Sequence, residues 1–398
     1  MQRPERLSIL YVGSLPPARH GVAVVCGQLL AGFAAAGHRV RAISPVEEDA
    51  GGADDRSAAA LSGVAVDWLR MPHVPSNHAL APEAYRRELQ AGFRRILDRL
   101  VAAERPDVLL IGNTSMGEHL PELARPHALP SVLMFHGITT AAMLERTLPE
   151  SLHQRLLAGF RHADRLVAVA PHIALSVRPL GFDDVPVIEN PVDVRRFAPR
   201  PKDPDLMRRF GIAPGDVVVA HASKLAPVKR PMDIVHAAPR ALRADPRLLF
   251  LILGDGALRS SMEQTCVQLG LSERFRFAGW IDHAAVPDHL SLADVVVMPS
   301  ELEGQSLVYL ETQACGRVLL ASDIPAAREF VVDGETGLLF RTGDVGHLAD
   351  RLLAAAADSR LREAIGRRAR RAAENHALEG VVLAYVALFR ETIARFRH

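Results

Sequence analysis

The stretch "ADVVVMPSELEGQSLVYLETQACGRVLLAS", Ala293 to Ser322, decides the fold. Its ends, "DVVVM" and "RVLLAS", are short β-branched runs without polar alternation, the mark of strands covered on both faces. Between them Ser306 stands where a helix N-cap belongs, and Gly316 where a glycine closes a helix. Two glutamates, Glu303 and Glu311, sit eight positions apart around the helix start, separated by Gly304-Gln305-Ser306. The backbone N–H groups of Gln305, Ser306 and Leu307 point out of such a start and suit an anionic or hydroxyl-rich ligand. Glu303 lies in the loop and Glu311 about a turn and a half into the helix, so the two carboxylates meet different parts of one ligand. Carboxylates accept from neighbouring sugar or ribose hydroxyls. The competing local reading is a solvated loop glutamate plus a first-turn glutamate stabilised by the helix dipole.

The same texture extends outward in both directions. "LSILYVG" precedes a helix from about Gly21 to Ala36, closed by Gly37. "RVRAIS", "VAVDWL", "PDVLLIG", "SVLMFHG", "RLVAVA" and "VPVIE" follow as further strands. "NPVDVRRFAPRPKDPD", Asn190 to Asp205, is rich in proline and charge and reads as a linker. A second series follows: "DVVVAHAS", "RLLFLILG", "RFRFAGW", "ADVVVMPS", "GRVLLAS" and "GLLF". The expected architecture is α/β, with two doubly wound halves: residues 1–195, with the tail from about 376 to 398 crossing back to them, and residues 206–375. Ligands in such sheets bind at the carboxyl ends of strands, and with two halves the natural site is the cleft between them. "EEDAGGADDRSAAALSG", Glu47 to Gly63, reads as a surface loop.

A chain of 398 residues is too long for one ordinary core. With 47 basic and 46 acidic residues its net charge of +1 gives no reason to expect nucleic acid as a partner. Cys26, Cys266 and Cys315 are too scattered for a disulfide framework or zinc site and fit a reducing cytoplasm. The apolar part of the N-terminus is too short for a signal peptide, and "VVLAYVALF", Val381 to Phe389, is far short of a membrane span. The basic pattern "YRRELQAGFRRILDRL", Tyr85 to Leu100, has an apolar stripe and a ring of arginines. We read it as a core-packed helix with a solvated face rather than a membrane-surface helix. A peripheral membrane contact is not favoured.

Other motifs end strands. "HASKLAPVKRP" places Lys224 at a strand end and Lys229 before a helix, two ammonium groups suited to a diphosphate, or else two ordinary surface lysines. "LILGDGALRS" puts Gly254 and Gly256 at another strand end but lacks the third glycine of a dinucleotide fingerprint. "LPPARHGVAVV" sets His20-Gly21 at a helix start, and "LMFHGI" brings His136 out of a buried strand. The pair Asp203-Pro204-Asp205 lies in the expected linker with no strand feeding it, a poor metal site. No G-x-S-x-G elbow and no P-loop occurs.

Taken in order, these motifs resemble the retaining nucleotide-sugar glycosyltransferases of family 4, which have the two-domain GT-B fold, two Rossmann-like domains facing each other across a cleft. The resemblance runs through "AAAGHRV", "SKLAPVKRP", "IENPVDVRRF", "LILGDGALRSSME" and, most sharply, Glu303 to Glu311 continuing as "TQACGRVLLASDIPAAREFVVDGETGLLF". It implies that Glu303, with Gly304 and Gln305, meets the transferred sugar, and that His136 sits by the sugar near the reacting centre. Lys224, Lys229, Ser306 and Leu307 would meet the diphosphate, and Gly21 the phosphate or acceptor. Glu311 would hold the ribose, and Trp280 and Ile281 would line the base. His136, Glu303 and Lys229 are the expected catalytic residues. The donor is expected to be a nucleotide sugar, UDP-linked by preference, and the acceptor a small molecule, glycan or lipid-linked sugar. No metal or other cofactor is expected. The chain departs from the family pattern at His20, in place of the first glycine of a Gly-Gly pair, at Gln305, in place of an aromatic, and at Arg317-Val318, where a proline is missing. Two rivals stand beside this reading: a nucleotide-sugar epimerase of the same architecture and a non-catalytic nucleotide-sugar-binding subunit. A dinucleotide oxidoreductase is weaker, for want of the third glycine.

Overall fold

The computed structural model describes residues 6–18, 20–48, 61–74, 81–118 and 120–397. Most of the loop expected between Glu47 and Gly63 lies outside the described residues. The chain divides into two compact units, Met1–Pro191 with Leu378–His398, and Val192–Ala377.

The first unit holds strands β1 (Ser8–Val12), β2 (Arg39–Glu47), β3 (Val64–Met71), β4 (Val108–Ile111), β5 (Ser131–Phe135) and β6 (Arg165–Ala168). They form one parallel sheet in the order β3-β2-β1-β4-β5-β6. "VPVIE" is not a strand of it. Pro186 interrupts the run, and only Val187 makes an isolated bridge, to Ala168. The helix Gly21–Ala35 follows β1 and ends at Gly37, whose φ of +90° suits the residue after a helix. The C-terminal helix Leu378–Phe396 packs on it through Tyr385 and Phe389 around Phe33. Gly32 permits that approach, because a Cβ there would lie 2.6 Å from the Val382 Cγ2. The basic helix spans Glu83–Ala103 and buries Leu89, Phe93, Leu97 and Leu100, while Arg87 and Arg99 pair with Glu83 and Asp67.

The second unit holds β7 (Val217–Ala222), β8 (Leu248–Leu253), β9 (Phe275–Gly279), β10 (Val295–Met298), β11 (Val318–Ser322) and β12 (Leu338–Phe340). This sheet is also parallel, in the order β12-β11-β10-β7-β8-β9. Alternate residues enter two separate cores: Leu249, Leu251 and Leu253 on one face, and Leu248, Phe250 and Ile252 on the other. That two-sided burial explains why these strands read as continuous apolar runs.

The stretch Asn190–Asp205 holds the boundary between the two units, at Pro191–Val192, but from Val192 on it is packed rather than free. Val192 and Phe197 are buried in the core of the second unit. Arg200 pairs with Asp288, and Lys202 with Asp294 at 2.6 Å. Arg370 donates to the carbonyls of Val194, Phe197 and Ala314, tying the stretch to the end of the helix Leu307–Ala314. The charges that suggested solvent are ion-paired and hydrogen-bonded onto a folded surface. Among the described residues no helix is long and apolar enough to cross a membrane.

The helix Ser359–Ala373 lies across the Leu307–Ala314 helix at its closest where Gly366 meets Gly316. A Cβ on Gly366 would overlap the Gly316 carbonyl oxygen. Alanine normally stabilises a helix interior over glycine by roughly 0.5–1 kcal/mol. We expect Gly366→Ala to do the opposite and destabilise by about 1–3 kcal/mol through overpacking. Gly380→Ala, in the C-terminal helix with nothing within 4 Å of the new methyl, should follow the ordinary trend. Urea midpoints of the two variants, shifted in opposite directions, check this.

Candidate functional site

β7 and β10 are neighbours in the sheet, and their following segments leave toward different partners, β8 and β11. Such a switch point opens a crevice at the carboxyl ends of the two strands. The loops there are tied by Glu301 N–H donating to the Val228 carbonyl at 2.9 Å. Lys229 ends the short turn Pro227–Lys229 after β7, and its Nζ donates to Oε2 of Glu303 at 2.6 Å. The Ser300 hydroxyl donates to Oε1 of Glu303 at 2.7 Å. Glu303 is buried, and both its oxygens are occupied. Residues 74 apart in sequence thus meet as a cation and a carboxylate. Lys224 is different: it is exposed and makes no side-chain hydrogen bond or ion pair among the described residues.

The helix Leu307–Ala314 begins at this crevice. Ser306 holds the N-cap position, with φ −73° and ψ 117°, but its hydroxyl makes no capping hydrogen bond. The amides of the first turn are therefore not capped by the side chain expected to cap them. Gly304, Gln305 and Ser306 are buried and Leu307 is half-buried. One turn further, Glu311 is buried, and among the described residues its carboxylate has one hydrogen bond: His283 Nε2–H donates to its Oε1 at 2.7 Å. Oε2 has no partner among the described residues. His283 follows the β9 loop that carries Trp280, 45% exposed, and Ile281, which packs against the core. Sequence reading missed His283. It stands in "DHAAV", which carries no motif, and only its place just after Trp280-Ile281 pointed to it.

Gly254 and Gly256 have φ values of +137° and +155°, which favour glycine. Their close neighbours belong to the same unit. A Cβ on Gly254 would strike the Ser223 carbonyl, and one on Gly256 would lie 2.5 Å from the Leu225 oxygen. These glycines let the β8 loop pack on the β7 loop, and they thereby set the backbone from which Lys224 projects.

A second residue that sequence reading passed over is His221, wholly buried in β7. Its Nδ1–H donates to the Val297 carbonyl of β10 at 2.8 Å, and its Nε2 accepts from the Ser223 hydroxyl at 2.7 Å. Burial pushes the imidazole down to about 4, with the Val297 bond opposing that and the Lys229 ammonium adding to it. The only signal in the sequence was a polar residue inside the apolar run "VVVAHA".

In the first unit His136 emerges after β5. Its Nε2–H donates to the Gly112 carbonyl at 2.8 Å and its backbone N–H to the Thr114 hydroxyl at 3.2 Å. Burial lowers it to about 4, opposed by the Gly112 bond and aided by His20. His136 is thus neutral at pH 7, with Nδ1 as the acceptor nitrogen. His20 accepts from Ala23 N–H at 3.3 Å and so caps the helix that Gly21 starts. This capping role is open to a histidine and not to the glycine of the family pattern. Asp203 caps the helix Pro204–Phe210 and Asp205 pairs with Arg208, so that Asp-x-Asp serves a helix start.

Residues 202–372 match the family model described as Glycosyl transferases group 1, and residues 19–196 match Glycosyltransferase Family 4. The chain belongs to glycosyltransferase family 4. Among curated relatives, a D-inositol 3-phosphate glycosyltransferase of Nocardia farcinica is 31% identical over 268 residues, covering 63% of this chain and 59% of that protein. A 2-deoxystreptamine N-acetyl-D-glucosaminyltransferase of Streptomyces fradiae is 31% identical, covering 57% and 56%. A GDP-mannose-dependent phosphatidylinositol monomannoside mannosyltransferase of Mycolicibacterium smegmatis is 33% identical, covering 44% and 48%. The chain thus spans about half to three-fifths of the length of these three relatives. Sucrose-phosphate synthase of Thermosynechococcus elongatus superposes with a TM-score of 0.80 at 19% identity, covering 98% of this chain and all of that one. Anabaena HepE, solved with UDP and glucose, superposes with a TM-score of 0.79 at 18% identity, covering 96% of this chain and all of that one. These likenesses are of fold, and the fold is GT-B.

His136 and His221 of this family 4 chain, both pushed down to about 4, set an expectation for pH. Above about 6.5 both imidazoles are neutral in folded and unfolded chains. As pH falls from there toward about 4, the unfolded chain binds protons that the folded chain refuses, so stability drops across that window. Each histidine contributes a slope of up to ~1.4 kcal/mol per pH unit. His221→Asn should flatten the acid side of a plot of unfolding free energy against pH. An unchanged slope between pH 6.5 and 4.5 would contradict the assignment.

Proposed function

We propose that this chain transfers a sugar from a nucleotide-sugar donor, UDP-linked by preference, to a hydroxyl of an acceptor with retention of anomeric configuration. The observation that carries the reading is the Lys229–Glu303 pair at the ends of β7 and β10, beside the uncapped start of the Leu307–Ala314 helix. A sugar diphosphate presents negative charge next to a ring of hydroxyls. This crevice presents a cation and a helix start without a side-chain cap from Ser306, next to a carboxylate.

In the proposed arrangement Lys224 and Lys229, with the amides at Ser306 and Leu307, meet the diphosphate. An ammonium group has three donors, so Lys229 holds Glu303 and a phosphate oxygen together. Glu303, with Gly304 and Gln305, faces the transferred sugar. Glu311 accepts from the ribose hydroxyls, and Trp280 and Ile281 flank the base. The bond from the anomeric carbon to the diphosphate oxygen breaks, and the bond to the acceptor oxygen forms on the same face. The acceptor proton passes to the departing phosphate. The charge on the leaving group is met by fixed cations and helix amides, so no divalent metal is required. The acceptor is a small molecule, glycan or lipid-linked sugar. The scattered cysteines support a cytoplasmic location.

Some relatives are named for GDP-mannose, so UDP and GDP are compared directly by thermal shift, and the larger stabilisation by UDP is expected. Acceptor-dependent release of the nucleoside diphosphate separates transfer from epimerisation, which needs no acceptor, and from binding alone, which releases nothing.

Two further outcomes are expected. Lys229→Met should lower kcat by two to three decades, the effect of about 3 kcal/mol lost from a positioned charge, while EDTA leaves the wild type active. The variant also orphans the buried Glu303 carboxylate, so its lost stability should return when Glu303→Gln is added. Glu311→Ala should weaken binding of free UDP more than it lowers kcat, as calorimetry and steady-state kinetics will read.

A further inference from the structure

We propose that His283 is the positioning residue for Glu311, fixing which carboxylate oxygen is left for the nucleotide. The inference rests on the reading that Glu311 meets the ribose. Glu311 is buried, as is most of its helix, yet among the described residues the carboxylate has a single donor, His283 Nε2–H at 2.7 Å. Oε2 has no donor among the described residues and keeps some exposed surface, so it is open to O–H groups brought by a ligand. Vicinal hydroxyls supply such donors. An untethered glutamate would turn about its terminal torsion, which is broad, and present either oxygen. Occupying Oε1 removes that freedom before the nucleotide arrives, which lowers the ordering cost of binding.

His283 is itself held on several sides. Its ring lies 5.5 Å from the fully buried Phe197 ring. Its carbonyl accepts from Arg196, which also sits over Phe197. The Asp282 carboxylate caps the turn His283–Ala285 by accepting from Ala284 N–H at 2.9 Å. Arg196 and Phe197 belong to the proline- and charge-rich stretch that packs on the second unit, which gives that stretch a part in the site. Glu303 has no need of such a residue, since Lys229 and Ser300 already occupy both its oxygens.

The test measures two affinities for each protein by calorimetry: UDP and 2′,3′-dideoxy-UDP, or the GDP pair if the wild type binds GDP more tightly. The wild type should prefer the hydroxylated nucleotide by on the order of 10- to 100-fold, the range for hydrogen bonds to a charged group. His283→Met fills the space beside Phe197 but offers no N–H. It should lose most of that preference, with affinity for the dideoxy nucleotide unchanged. His283→Gln can place an amide N–H near Oε1 and should restore most of the preference. A preference retained in full by His283→Met, or affinities for both nucleotides falling together, would overturn the positioning role. A wild type with no preference would instead overturn the ribose reading of Glu311, and the inference with it. Melting temperatures of all three proteins accompany the titrations, and the His283→Gln arm decides the matter should His283→Met fail to fold.

Discussion

The parallel pairing of β7 with β10, Val219 beside Val295 and Ala220 beside Val296, is the constraint on which the second unit's site depends. Parallel strands cannot be joined by a tight turn, so each needs a crossover. From β7 the chain continues to β8 on one side, and from β10 to β11 on the other. The two loops therefore part at the carboxyl ends, and no crossover covers the gap between them. Everything chemical in this unit hangs on that gap: Lys229 on one loop, Ser300 and Glu303 on the other, and the start of the Leu307–Ala314 helix behind. His221 reinforces the same seam from below, because its hydrogen bond to Val297 ties β7 to β10 one layer under the loops.

The polar groups at the crevice are satisfied to different degrees, and the difference has meaning. Glu303 is a completed unit, with a cation on one oxygen and a hydroxyl on the other. Glu311 is half complete. Ser306 sits at the helix start without spending its hydroxyl on the amides. Other polar groups are fully engaged: Arg370 meets three carbonyls, and Asp203 caps its helix twice over. Incomplete satisfaction at a strand-end crevice is compatible with a ligand site before its ligand arrives. The neutral His221 fits this picture, since a buried imidazolium there would add a charge where the Lys229 ammonium already stands.

Much of this was legible in the sequence because parallel strands buried on two faces write themselves as unbroken apolar runs. Their order, the helix starts and the Glu303–Glu311 spacing are local properties, readable without coordinates. The misreadings share one cause. "VPVIE" has strand residues but a proline where a ladder needs an N–H. The Asn190–Asp205 stretch has linker composition, yet its arginines and lysine find carboxylates and carbonyls dozens of residues away. Gly254 and Gly256 were placed at a strand end, but the group that approaches them, the backbone of the neighbouring β7 loop, is distant in sequence.

The sequence by itself determined the two strand–helix series, the helix start between the two glutamates and the family to which the chain belongs, since each is carried by residues close together along the chain. Only the tertiary structure decided which partners those residues meet: Lys229 with Glu303, His283 with Glu311, His221 with Val297 and His136 with Gly112. Such pairings are made by sheet order and by crossovers that bring residues 24 to 76 positions apart within hydrogen-bonding distance. A hydrogen bond depends on distance and angle to a particular atom, and local propensity carries no information about either.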